Sequence, residues 1–186
     1  TPRFFIKRII EKKKNWIKKK QEDYYQYYKK IDPIEQGFLN FKGLNIKLSF
    51  KQGLREPVLF RNKTLKFKCI SKKVEDKKKL VVEWLIREAE VYLKKRIIII
   101  SKSIGIEYKS LKIKSYSGRW GSCDKFGEIC LNWKLIMLPK DIIDYVIIHE
   151  LAHIVEPNHS KKFWEVVFEK DPHYIKKKKW LKKKIS

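Results

Sequence analysis

The stretch His149-Glu150-Leu151-Ala152-His153, with His159 six positions further on, decides how this chain is read. It lies in a run whose apolar residues Ile142, Ile143, Val146, Ile147, Leu151 and Ile154 recur at helical spacing. Pro139 opens the predicted helix and Pro157 stops it. Positions four apart on a helix share a face one turn apart, so the imidazoles of His149 and His153 can reach one ion. Glu150 is placed to hold a water on that ion, which is the HExxH pattern of zinc hydrolases. The break at Glu156-Pro157-Asn158 can bring His159 back as a third ligand. A carboxylate one helix later, Glu165 or Glu169, is the alternative. Three of the four histidines fall within eleven positions, which an ordinary surface helix does not account for. His173, in an Asp-Pro-His-Tyr turn, reads as surface.

Three histidines plus water make an open, tetrahedral site for one zinc ion. Zinc lowers the pKa of a bound water from 15.7 towards roughly 7. Glu150 is expected to take that proton and hand it to the leaving group. The developing oxyanion then needs a second positive partner. Arg119 is the candidate, because the surrounding Gly118 and Gly121 allow a backbone to come close to a substrate; the other reading is a salt-bridged surface arginine. Trp120 and Trp133 read as core. Asp144, five residues before His149, either orients a ligand histidine or is a solvated helix charge.

Outward from the motif, the pattern changes several times. Ile6, Ile10, Trp16 and Ile17 predict an N-terminal helix over about 1–28, with the Tyr24–Tyr28 cluster as a packing ridge. Short alternating runs over 37–71, through Leu44, Ile46 and Leu48 and then Leu65, Phe67 and Cys69, predict a small antiparallel sheet. A charged linker follows at 72–79, then a long helix over about 79–103 that Gly105 ends. Residues 106–114 and 128–133 read as strands around a turn at 124–127. Ser160 caps a helix over 161–169, and 174–184 is a basic helix. This organises as 1–71, an N-terminal helix with a small β region, and 72–186, the core with the metal motif.

The formal charge is +25, from 46 Lys and Arg of which only seven are Arg. Such a lysine excess follows from codon bias, yet its field is real and predicts weak, salt-sensitive binding to nucleic acid and other polyanions. Cys69, Cys123 and Cys130, an odd count without a dense framework, fit reduced thiols in a cytoplasmic protein. A Cys123–Cys130 pairing across a hairpin is the alternative. No apolar run is long enough for a membrane span.

The longer string Arg119-Trp120-Gly121-Ser122-Cys123, Gly127, Leu131-Asn132-Trp133-Lys134-Leu135, Asp144-Tyr145-Val146, the HExxH segment, and Asn158-His159-Ser160 with Phe163-Trp164 resembles the YgjP-like metal-dependent hydrolases, relatives of the WLM and SprT-like metallopeptidases. Asn15-Trp16-Ile17-Lys18-Lys19 resembles that family's first helix. The resemblance implies an α+β fold with a zincin-like catalytic core, an antiparallel sheet and an active-site helix. It also implies His149, His153 and His159 as metal ligands and Glu150 as the catalytic residue. Family members carry a further β segment ahead of that first helix, so the chain reads as truncated at its start.

Three functions follow as expectations. The leading one is a zinc-dependent hydrolase of metallopeptidase type acting on peptide. The resemblance also admits a metal-dependent nucleotide pyrophosphohydrolase at the same site. The charge admits a non-enzymatic polyanion- or nucleic-acid-binding module, which leaves the histidine cluster unexplained.

Overall fold

Two tight turns, each with both central residues at positive φ, organise the first sheet: Lys42-Gly43 (51° and 78°) and Asn62-Lys63 (50° and 53°). This is the geometry whose twist suits a two-residue hairpin. The structure, a computed structural model, describes residues 37–53 and 59–185. The helix and tyrosine cluster expected over 1–28 lie outside the described residues, as does Thr1–Phe38 almost entirely; Leu39–Ser186 is a compact unit.

Strands β1 (Phe38–Phe41), β2 (Leu44–Gln52), β3 (Leu59–Arg61) and β4 (Thr64–Cys69) form a sheet in the order β1-β2-β4-β3. Alternation turns Leu39, Phe41, Ile46, Leu48, Leu65 and Phe67 to one buried face. That face meets helix α1 (Val74–Ile104), where Trp84 lies 4.9 Å from Phe41 and 6.4 Å from Phe67, ring centre to ring centre. The stretch 72–79, expected as a linker, is helical from Val74. Lysine and glutamate are good helix formers, and Glu75 and Asp76 in the first turn complement the helix dipole. Gly105, at φ 72°, ends α1 with its N–H donated to Ser101 O.

The second sheet holds β5 (Ser110–Lys114), β6 (Gly121–Cys123) and β7 (Glu128–Asn132) in the order β5-β7-β6. Both sheets are mixed rather than purely antiparallel. β2 runs parallel to β4 and β5 parallel to β7, whereas β3–β4 and β6–β7 pair antiparallel. The same device recurs: a connection carries the chain past a vacant position, and the returning hairpin strand fills it. Alternation marks a strand but does not name its partner, so the parallel pairs were not legible beforehand. Register sets Cys130 opposite Ser122, and all three cysteines are free.

A 3-10 turn (Trp133–Met137) leads into α2 (Lys140–Val155), followed by α3 (Lys161–Lys170) and α4 (Tyr174–Ile185). α2 buries Ile142, Ile143, Tyr145, Val146, Ile147, Ile148, Leu151 and Ala152 on nearly every side, so it is a core helix rather than a surface one. The first hairpin braces its start. Lys42 N–H donates to Ile136 O at 2.7 Å, and a Cβ on Gly43 would fall 2.9 Å from the Cα of Pro139. The result is an α+β core with the motif helix at its centre.

Candidate metal centre

Helical periodicity brings His149 and His153 to the same side of α2, ring centroids 5.0 Å apart. His159 comes from the irregular link after Val155. Its Nε2 stands 3.1 Å from Nε2 of His149, and one ring nitrogen from each of the three histidines lies within 4.8 Å of the others. Two nitrogens held tetrahedrally at 2.0–2.1 Å from one zinc ion stand roughly 3.3 Å apart. The spacing therefore fits a shared cation.

The electrostatics favour ligation. Burial, reinforced by His153, His159 and Lys178, pushes the pKa of His149 down to about 3. Burial and His159 lower that of His153. Both rings are thus neutral near pH 7, the form that binds a metal. Glu150 is 5% exposed, and burial pushes its carboxyl up to about 8 against the opposing charge of Arg119. A Cβ on Gly121 would meet Oε1 of Glu150 at 2.6 Å, so the backbone of β6 lies directly against this carboxylate.

The link that carries His159 is held by the helix after it. Ser160 caps α3, accepting from Phe163 N–H at 3.2 Å, and its own N–H donates to Asn158 O at 2.7 Å. Phe163, fully buried, packs edge-on to His159 at 4.8 Å, and Trp164 stacks on it at 5.6 Å with 22° between planes.

A YgjP-like metallopeptidase domain matches residues 1–184. The chain belongs to the YgjP-like family. It is thereby a metallopeptidase-type domain and a metal-dependent hydrolase. Two solved structures resemble it. One is the metallopeptidase zymogen abylysin of Pyrococcus abyssi: 21% identity, 50% of this chain and 93% of that one, TM-score 0.44. The other is the zymogen jannalysin of Methanocaldococcus jannaschii: 23% identity, 50% and 97%, TM-score 0.45. Curated proteins give no match.

Other residues singled out in this YgjP-like chain fall variously. Arg119 is exposed at the rim, its guanidinium 5.0 Å from the ring centre of Tyr116, and it makes no salt bridge among the described residues. Its charge reaches Glu150. Glu165 and Glu169 lie outside the cluster, exposed and paired with Lys161 and Lys170. His173 is exposed. Trp120 and Trp133 are half-buried rather than core.

Asp144 is only about a fifth exposed, and its partner is not a histidine of the cluster. It forms a two-pronged ion pair with Arg96 of α1, at 2.5 and 2.6 Å. Five helical steps turn a side chain about 140° away from the starting face, so Asp144 points to α1 while His149 points to the cluster.

Two residues escaped the sequence reading as working parts. Gly121 was read as a place for substrate, and its close neighbour is Glu150. Asn132, 2% exposed, donates to the carbonyls of Tyr116 and Arg119 at 3.1 and 3.0 Å and accepts from Lys134 N–H. It ties down the loop that presents Arg119. Its position in the family string was the only signal, because its partners are 13 and 16 residues away.

Proposed function

We propose that this YgjP-like domain is a zinc-dependent peptidase with one ion held by His149, His153 and His159. The observation that carries the reading is the convergence of three imidazole nitrogens, two from neutral, half-buried rings, beside a buried glutamate on the same helix. Bound there, zinc supplies a Lewis acid for the substrate carbonyl and a water acidified towards roughly pKa 7. Glu150, packed under Gly121, acts as general base: its carboxylate takes the proton and returns it to the departing amine. Arg119 at the rim stabilises the oxyanion.

Peptide is the substrate that the setting favours. β6 is the edge strand of its sheet and runs past Glu150, so an extended peptide can add to it and present a carbonyl to the site. No helix among the described residues is long and apolar enough to cross a membrane. The three free thiols support a cytoplasmic setting.

The test is Glu150→Gln in the zinc-loaded chain. Zinc stoichiometry should be retained while peptide cleavage falls by several orders of magnitude. Undiminished cleavage removes Glu150 from the mechanism. Pyrophosphate release from nucleoside triphosphates without any peptide cleavage replaces the peptidase reading with a nucleotide hydrolase.

A further inference from the structure

Most carboxylates near the metal centre are already committed. Asp171 pairs with Lys177, Glu165 with Lys161, and Glu169 with Lys170. Two cations are not. The charge of Arg119 reaches Glu150 and that of Lys178, on α4, reaches His149; neither has a carboxylate partner among the described residues.

Lys178 is held in place. Tyr174 and Lys178 lie one helical turn apart and grip the same indole. Tyr174 stacks on Trp164 at 5.4 Å with 14° between planes, and the Lys178 ammonium sits 3.6 Å from the Trp164 ring centre. Trp164 in turn stacks on His159 and lies 5.8 Å from the ring of His149. A long, flexible side chain is thereby held against Trp164, the indole that stacks on His159, and its charge reaches His149. The rest of α4 adds to its field, since the helix carries seven lysines and no acid. Glu150 is a buried carboxylate beside the cluster, and a bound divalent cation adds positive charge.

We infer that the site selects peptides bearing a carboxylate close to the scissile bond, and that Lys178 is the residue that reads it. This rests on the peptidase reading above. The carboxylate comes either from an Asp or Glu side chain or from the peptide's own C-terminus. With Arg119 engaged at the oxyanion, Lys178 is the group left to bind a second negative charge.

The experiment uses the zinc-loaded full chain and matched peptides in which one residue beside the cut is Glu, Gln or Lys, each with a free or an amidated C-terminus. Glu peptides should exceed their Gln counterparts in kcat/KM by about two- to fivefold at low salt, the size of one exposed ion pair. That ratio should shrink as salt rises. Lys178→Arg should keep it, Lys178→Gln should bring it to one, and Lys178→Glu should reverse it. Calorimetric affinities of zinc-loaded Glu150→Gln for the same peptides should follow the same order. A preference confined to free C-termini assigns the carboxylate to the chain end; one that survives amidation assigns it to the side chain. Cleavage without acidic preference, or a preference that persists in Lys178→Gln, overturns the inference alone. Absence of cleavage of every peptide overturns the peptidase reading and the inference with it.

Discussion

Gly121 and Glu150 are in such close contact that a Cβ on the glycine would stand 2.6 Å from Oε1 and 2.8 Å from Cγ of the glutamate. Neither atom can yield without moving the carboxylate, because Glu150 is buried and its helix is packed on nearly every side. Gly121→Ala should therefore displace the proposed base. Misplacement of a reacting group by about 1 Å costs on the order of 100-fold in rate. A fall of that size in kcat/KM is expected, with zinc stoichiometry unchanged; wild-type kinetics in Gly121→Ala would show that the contact is dispensable.

Trp164 covers the face of His159, the one exposed histidine of the three in the cluster. Outer partners of metal ligands typically contribute 10- to 100-fold in affinity. Trp164→Leu is expected to weaken zinc binding by about tenfold, measured by competition with a chelator. Trp164→Phe should retain most of the affinity, because a ring still covers the imidazole.

The Arg96–Asp144 pair joins α1 to α2, with side chains about a fifth exposed. Removing one partner of a fully buried pair costs roughly 3–5 kcal/mol, and an exposed pair is worth roughly 0–1. Asp144→Asn should fall between, at about 2 kcal/mol in urea unfolding. The paired change Arg96→Met with Asp144→Leu should recover most of this. Zinc affinity should be unaffected by either, since Asp144 faces away from the ligands.

The metal-free protein should show a plateau of stability with flanks on both sides. Burial depresses His149 from 6.5 to about 3, so its contribution is present above pH 6.5 and is lost as pH falls towards 3. Burial raises Glu150 from 4.5 to about 8, so its contribution is present below pH 4.5 and is lost as pH rises towards 8. Between pH 4.5 and 6.5 the two slopes oppose each other. Unfolding free energies measured in chelator across pH 3–9 should therefore be flat in that window and fall outside it. A monotonic profile would contradict the burial of one of these groups.

Zinc should raise the unfolding temperature by mass action, because the three histidines converge only in the folded chain. The rise should grow with free zinc concentration and disappear in His153→Ala. A zinc-independent unfolding temperature would count against a resident ion.

The motif helix was readable because its information is local. Four-residue spacing sets His149 and His153 on one side of a helix whatever surrounds it, and Pro157 and Ser160 mark where one helix stops and the next begins. The turn at 124–127 and the end of α1 at Gly105 were readable for the same reason: each depends on a few consecutive backbone angles. The α+β character followed from those periods. What only the tertiary structure decided depends on residues far apart in the chain. It set β4 beside β2 and β7 beside β5 in parallel, turned Asp144 towards Arg96 48 residues earlier, pressed Gly121 onto Glu150, and fixed Lys178 over Trp164. Such contacts are chosen by packing among many alternatives that share the same local pattern. The sequence alone therefore located the histidine cluster, and the fold determined which backbone, ring and charge surround it.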